Sequence, residues 1–184
     1  DAGRHARVND AARGGGEPVR DLTHALADRN LAGRILARFD EILALAREHD
    51  IVLSLGNTMR SGCIHDPMDR AQSAEMRLNA DLAGRAREAG VQCIIEGMGG
   101  HIRADRIPAT VRRYKKASGA PLFVAGPLPT DVAVGHDHIA GCVGASIAAG
   151  AGADYLCYIT PAEHLGLPDP GQVKEGLVAF RIAA

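Results

Sequence analysis

Four short apolar segments recur along the chain, and a helical pattern follows each of them. The segments are IVLSLG at 51–56, VQCIIEG at 91–97, LFVAGP at 122–127 and DYLCYIT at 154–160. Parallel strands need a crossover connection, which is usually a helix that covers the sheet. The alternation therefore predicts an α/β fold whose parallel sheet is buried on both faces.

The helices are predicted from apolar residues at helical spacing and from residues that end helices. Gly90 and Gly119 are the expected stops, and Asp169 followed by Pro170 is typical of an N-cap and a first helical position. Helices are expected over about 35–49, 71–89, 107–118, 138–150 and from 170 onward. Their expected buried positions include Ile35, Phe39, Leu43 and Ala46 in the first helix and Val173, Leu177 and Phe180 in the last.

Polar or glycine-rich loops follow every predicted strand: GNTMR, EGMGGH, AGPLPTD and YITPAEH. A β/α barrel builds its active site from the loops at the carboxyl ends of its strands, whereas a doubly wound sheet binds ligands at one crevice. Four such loops favour a (β/α)8 TIM-type barrel, of which we expect this chain to be the C-terminal half. The doubly wound sheet is the alternative.

Composition excludes several classes of function. The 184 residues carry a net charge of −1, which argues against a nucleic-acid partner, and no apolar run is long enough for a membrane span. The four dispersed cysteines suit reduced thiols in the cytoplasm. Residues 1–33 are weakly patterned and are expected to form a linker before the half-barrel of 34–184. Because the chain begins without methionine, we expect a piece of a longer protein.

The loop GNTMRSG at 56–62 offers an amide, a guanidinium and flexible backbone, which together can bind an anion. Asn57 and Arg60 are therefore candidate ligands of a phosphate or ribose group. A surface turn is the alternative interpretation.

Two histidines end matching strand–loop units. Glu96 closes the second strand, His101 follows it, and His164 follows the fourth strand. Neutral imidazole is a common metal ligand, and two histidines leave coordination positions open for water or substrate. The alternative is that each is a hydrogen-bonded loop residue.

Other polar positions carry weaker signals. In GHDHIAG, at 135–141, a metal-binding His-x-His pair competes with Asp137 as the cap of the next helix, which the pattern favours. Cys63 and His65 lack an orienting third group for thiol catalysis. Cys93 and Cys157 lie within strands and are expected to be core residues.

Taken together, LSLGNTMRSG, IIEGMGGH, AGPLPTDVAVGHDHIAG and LCYITPAEHLGLPDPGQVKEGL resemble the phosphomethylpyrimidine synthase (ThiC) family over residues 35–184. The resemblance implies a homodimeric β/α-barrel radical S-adenosylmethionine enzyme. Its substrate would be 5-aminoimidazole ribotide, its electron donor a flavodoxin or ferredoxin, and its cofactors S-adenosylmethionine and a [4Fe–4S] cluster.

The resemblance also implies residue roles. A second divalent metal, zinc or iron, would be held by His101 and His164. The substrate-binding residues would be Asn57, Thr58, Met59, Arg60, Glu96 and Phe123. The family's cluster motif, Cys-x2-Cys-x4-Cys, is absent from this chain, so the iron–sulfur ligands would lie beyond Ala184 and the chain alone would be inactive.

Three departures from the thiamin enzymes fall on the substrate side. Asn57 stands where they carry aspartate, Phe123 where tyrosine is usual, and His101 is five rather than four residues after Glu96. These changes favour the 5-hydroxybenzimidazole synthase (BzaF-like) branch, which makes a cobamide lower-ligand precursor. Thiamin pyrimidine synthesis is the alternative. A non-radical metal-dependent barrel lyase and an inactive fragment are further alternatives.

Overall fold

A computed structural model describes residues 31–66 and 68–184. Predictions for residues 1–30, including the greater part of the expected linker, fall outside the described residues. The helices are α1 (Leu31–Ala37), α2 (Phe39–Glu48), α3 (Arg70–Glu88), α4 (Ile107–Ser118), α5 (Asp137–Gly150) and α6 (Pro170–Ala183). The strands are β1 (Leu53–Leu55), β2 (Cys93–Glu96), β3 (Leu122–Ala125) and β4 (Tyr155–Cys157), and a 3-10 turn covers Ala104–Arg106. No helix among these residues is long and apolar enough to cross a membrane.

The described residues divide into two compact units, of which the first comprises residues 31–53 and 86–92. Phe39 and Leu43 of α2 are buried there, as predicted, but Ile35 is 46% exposed. The reason is a tight turn at Arg38, whose N–H donates to the Ile35 carbonyl at 3.1 Å. This turn separates α1 from α2, so the apolar stripe of α2 does not continue back through Ile35.

The second unit, Ser54–Arg85 with Cys93–Ala184, contains most of the four-stranded sheet. The strand order is β1-β2-β3-β4, so each strand lies beside the next one in the chain. β2 pairs with β3 and β3 pairs with β4, both in parallel. The predicted α/β fold with a parallel sheet is confirmed.

The two faces of this sheet differ. Ile95, Leu122 and Val124 are fully buried on the face against which helices pack. On the other face Phe123 pairs in register with Tyr155, which is 64% exposed. The side chains on this second face are only partly buried, so the prediction of a sheet buried on both faces is wrong for the described residues. We call this face the open face.

Helix ends follow the predicted local chemistry. Gly119 ends α4 in the left-handed conformation with φ of 61°, where a side chain would be strained. Asp169 begins α6 with a capping box: its carboxylate accepts the Gln172 N–H, and the Gln172 side chain accepts the Asp169 N–H, both at 2.9 Å. Both predictions are confirmed.

The buried stripe of α6 is shifted from the predicted one. Phe180 is buried against Leu128 and Ile159, but Leu177 is 45% exposed. Gly176 takes its place in the interface, because this position lies directly against the Ile159 carbonyl and leaves no room for a side chain. Leucine at the neighbouring position therefore turns outward.

The contact between α5 and the end of β3 yields a test of the fold. A Cβ at Gly144 would overlap the Pro127 carbonyl, whereas Gly150 on the same helix has open space around it. We expect Gly144→Ala to lower the free energy of unfolding by at least about 2 kcal/mol through overpacking. Gly150→Ala is the control and should leave it unchanged or raise it by about 0.5–1 kcal/mol. Urea unfolding measures both, and equal effects would contradict this packing.

Candidate functional site

Backbone hydrogen bonds bring the loops after β1, β2 and β3 together. The His101 N–H donates to the Ser61 carbonyl at 3.1 Å, and the Ile102 N–H donates to the Leu128 carbonyl at 2.9 Å. Gly100, directly before His101, adopts φ of 79°, and a Cβ there would overlap the Ser61 carbonyl. The parallel ladder thus continues beyond the strand ends and fixes the position of His101.

His101 and His164 lie side by side, as their places after β2 and β4 predict. Their Nε2 atoms are 3.3 Å apart. The other ring nitrogen of each faces a carboxylate: His101 Nδ1 is 2.7 Å from Asp131, and His164 Nδ1 is 3.3 Å from Asp137. His164 has a left-handed backbone with φ of 65°, which non-glycine residues rarely adopt. The two rings are thus held at both ends.

The carboxylates determine what this histidine pair can bind. A carboxylate only accepts hydrogen bonds, so each Nδ1 carries the hydrogen and each neutral ring leaves a lone pair on Nε2. Two acceptor nitrogens then face each other, an arrangement that a shared proton or metal ion relieves. Nitrogens each about 2.0–2.1 Å from a tetrahedral zinc ion are about 3.3–3.4 Å apart. The observed separation fits that value.

The pair could supply two ligands to a metal ion. No group of three or more His, Cys, Asp or Glu side chains within residues 31–66 and 68–184 is arranged to hold a metal ion. Imidazoles whose second nitrogen donates to a carboxylate are typical of metal ligands. The histidines could therefore bind an ion whose remaining ligands come from water or another molecule.

Asp131 links this pair to the loop after β1. Both of its carboxylate oxygens accept the Ile64 N–H, at 3.1 and 3.0 Å. Burial raises the pKa of the Asp131 carboxyl, but the hydrogen bonds from Ile64 and His101 outweigh this and hold the pKa below its usual range. Asp131 is therefore ionised at neutral pH and can orient His101.

Asp137 does not have the predicted role. The N-cap of α5 is His136, without a side-chain cap, and Asp137 is the first helical residue. Its side chain is only 3% exposed and pairs with His164. The cap prediction is wrong because the helix begins one residue earlier than the pattern indicates. The ring centroids of His136 and His138 are 6.5 Å apart, and no metal group includes them within the described chain.

An acidic residue of α3, for which no sequence motif predicts a role, holds the loop after β1. The Glu75 carboxylate on α3 accepts the N–H of Thr58 at 2.6 Å and that of Met59 at 3.1 Å. Burial raises the pKa of Glu75, the two backbone hydrogen bonds lower it, and nearby Glu96 raises it further, with a net rise. The N–H groups of Thr58 and Met59 are therefore already occupied.

Asn57 and Arg60, from the same loop, line a small pocket. Its wall also contains Met98, Gly99 and Tyr114. The Asn57 Nδ2 atom is buried there and has no hydrogen-bond partner in the described structure. A buried amide donor without a partner costs free energy, which a ligand acceptor would offset. This donor is the clearest sign that the pocket binds a polar group.

Glu96 and Phe123 are register neighbours on the open face of the sheet. The Phe123 ring contacts Tyr155 edge to face, with centroids 5.8 Å apart. Cys157 lies on this face too, where burial raises the pKa of its thiol, Glu96 and Glu163 raise it further, and Arg60 lowers it. Cys157, like Cys93, is half-buried rather than a full core residue, and Cys63 is exposed.

Three residues of this region carried no predicted role: Asp131, Glu75 and Tyr114. Asp131 ends the quoted motif AGPLPTD, and the rule that metal-binding histidines have carboxylate partners would have selected it. Glu75 and Tyr114 lie inside ordinary amphipathic helices. Their roles depend on which loop packs against them, and no local signal reveals that.

Comparison with known proteins identifies a family and several relatives. Residues 3–184 match the Radical SAM ThiC family. The chain is 56% identical over 147 residues to the phosphomethylpyrimidine synthase of Methanopyrus kandleri, which covers 79% of the chain. It is 53% identical over 151 residues, or 82% of the chain, to that of Ignicoccus hospitalis. It is 45% identical over 182 residues, or 98% of the chain, to that of Thermoanaerobacter pseudethanolicus.

The chain spans little more than a third of these proteins. The matched part is 34% of the Methanopyrus and Ignicoccus proteins and 41% of the Thermoanaerobacter protein. The match to the family includes residues 3–30, which lie outside the described structure. The site residues described above all lie within the matched region.

Tyr114 provides a test of the pocket. Its ring lies against Gly97, and burial, with a contribution from Glu75, raises its pKa to about 12. The difference in absorbance near 295 nm between wild type and Tyr114→Phe should titrate with that midpoint. The unfolded phenol ionises near pH 10. Between pH 10 and 12, the free energy of unfolding of wild type should therefore fall by up to about 3 kcal/mol relative to that of the variant. Below pH 10 the difference between the two should not change with pH. A difference midpoint near 10 would mean that the phenol is exposed.

Proposed function

Because the chain belongs to the radical SAM ThiC family, we propose that it is part of an enzyme that makes the phosphomethylpyrimidine for which its relatives are named. The observation that carries this proposal is the identity of 45% to 56% with phosphomethylpyrimidine synthases. These names favour the thiamin alternative. The three sequence departures, in contrast, favour 5-hydroxybenzimidazole as the product.

Membership of a radical SAM family implies S-adenosylmethionine, an iron–sulfur cluster and a reductant. The cysteines of this chain do not fit a cluster, since Cys63 is exposed and none of the four belongs to a group of three ligands in the described structure. We expect the cluster ligands to lie elsewhere in the parent protein, and a flavodoxin or ferredoxin to supply the electron.

The substrate expected from the resemblance is 5-aminoimidazole ribotide. Arg60 offers a fixed positive charge to its phosphate. The free Asn57 Nδ2 donor suits a hydroxyl or ring nitrogen acceptor, and Glu96 accepts from hydroxyl or amino hydrogens. Phe123 provides an apolar surface beside Glu96. Because Glu75 occupies the Thr58 and Met59 N–H groups, these two residues contribute side-chain contacts at most.

His101 and His164 would hold a second divalent metal, zinc or iron. Their separation and their carboxylate partners support this assignment. A bound divalent ion would supply a positive charge that fixes polar groups of a ligand, which is a contribution to orientation. The protein's part is to present two lone pairs, and Asp131 and Asp137 keep both rings in the required tautomer.

The architecture that best accommodates these loops is half of a (β/α)8 barrel. The uninterrupted strand order supports it, since a doubly wound sheet reverses its order at a switch point. The open face bearing Glu96, Phe123 and Tyr155 would then be the barrel interior. A homodimer and a cytoplasmic location remain predictions from the resemblance.

A second product has one observation in its favour. Asn57 stands where the thiamin enzymes are expected to carry aspartate, and its donor is unpartnered in the pocket. An amide donor in place of a carboxylate acceptor changes which substrate atom can bind at this position. The 5-hydroxybenzimidazole synthase reaction on the same ribotide is therefore the second candidate.

The product can be identified directly. The full-length parent protein is reconstituted anaerobically with iron and sulfide and supplied with reductant, S-adenosylmethionine and 5-aminoimidazole ribotide. We expect hydroxymethylpyrimidine phosphate by mass spectrometry, and none when S-adenosylmethionine is omitted. 5-Hydroxybenzimidazole would instead establish the second candidate, and neither product would overturn both.

The histidine pair is tested by metal content rather than activity. In the full-length protein, His101→Ala should abolish zinc retention, and Asp131→Asn should weaken zinc affinity about 10- to 100-fold because the ring loses its orienting partner. Elemental analysis after dialysis against a graded chelator measures both. Asp105→Asn is the control, since Asp105 pairs with the neighbouring Arg103 and Arg106 and not with the histidines. Unchanged zinc in His101→Ala would remove this residue as a ligand.

A further inference from the structure

Helix α3 holds the loop after β1 at several points. The Gln72 side chain accepts the Met68 N–H at 2.5 Å and donates to the Asp66 carbonyl at 3.0 Å. Ser73 Oγ donates to the Met68 carbonyl at 3.3 Å. These bonds fix the far end of the loop, where it enters the helix. Glu75 acts at the near end, beside the candidate substrate residues.

The N–H groups around Glu75 resemble an anion-binding site in which the Glu75 carboxylate is the bound anion. Two successive backbone N–H groups, of Thr58 and Met59, converge on one half-buried carboxylate. Hydrogen bonds to an ionised acceptor are about twice as strong as neutral ones. Since the donors are used internally, they do not bind a ligand phosphate. The pair of bonds instead fixes the backbone between Asn57 and Arg60.

Fixing this backbone has a consequence for the two flanking side chains. Asn57 precedes the bonded residues and Arg60 follows them, and both line the pocket. The unpartnered Asn57 Nδ2 is costly to keep buried. In a free loop this amide would turn towards water. Something must hold the segment in place, and Glu75 makes the only side-chain hydrogen bonds to residues 57–60 given by the described structure.

We propose that Glu75 is a positioning residue for substrate binding: its carboxylate holds the Thr58–Met59 backbone so that Asn57 and Arg60 are presented to the pocket before a ligand arrives. Preorganisation of this kind raises affinity by removing the cost of ordering the loop on binding. The choice of 5-aminoimidazole ribotide as ligand rests on the proposed function; the ordering of the loop by Glu75 does not.

The loop is tested first without turnover, in the full-length protein. Hydrogen–deuterium exchange is followed on peptides that contain residues 57–60 in wild type, Glu75→Gln, Glu75→Ala and Asp81→Asn. Asp81 is an exposed acid on the same helix and serves as the matched control. We expect the Thr58 and Met59 amides to exchange at least about tenfold faster in Glu75→Ala, somewhat faster in Glu75→Gln, which keeps one acceptor, and unchanged in Asp81→Asn. Unchanged exchange in both Glu75 variants would overturn the proposal.

Steady-state kinetics tests the consequence for substrate. The KM for 5-aminoimidazole ribotide should rise about tenfold in Glu75→Ala with kcat within about twofold, the pattern of lost ground-state binding. Glu75→Gln should lie between, and it serves alone if the alanine variant does not fold. Faster exchange with an unchanged KM would overturn the positioning role. If wild type makes neither expected product, the proposed function fails, while the exchange experiment still decides whether Glu75 orders the loop.

Discussion

The site depends on a parallel backbone ladder that continues beyond the ends of the strands. Ser61 pairs with Gly100 and His101 with Leu128 after the named strands have ended. These bridges join three loops into an extension of the sheet, so His101 is placed by main-chain hydrogen bonds rather than by a free loop. A backbone ladder satisfies its polar groups internally, and it gives a loop the rigidity that a ligand residue requires.

Carboxylates from other segments then orient the groups that this ladder brings together. Asp131 orients His101, Asp137 orients His164, and Glu75 fixes the loop that carries Asn57 and Arg60. In each case a carboxylate accepts hydrogen bonds. For the histidines these bonds place the ring hydrogen on Nδ1, and for the loop they hold the backbone in one position. The Asp137 side chain is nearly buried, and its pairing with His164 offsets the cost of burying a carboxylate.

Local chemistry explains which predictions hold. Asp169 with Gln172 and Gly119 act within a few residues of the chain, so their helix ends can be predicted from short patterns. Leu177, Ile35 and Asp137 depend on the phase of a helix against its neighbours or on a one-residue shift of its start. Spacing alone cannot determine that phase. His101 and His164 lie together because both follow strands of one parallel sheet, whose carboxyl ends lie at one edge.

The sequence by itself determined the parallel α/β fold, the family and the histidine pair, because alternation, helix signals and motif order are properties of the chain read locally. Only the tertiary structure decided that Asp131 and Asp137 support the histidines, that Glu75 occupies the loop donors, and that one sheet face is open among the described residues. Asp131 is 30 residues from His101 and Glu75 is 17 from Thr58. Such contacts arise from packing across the sheet, which no local pattern encodes.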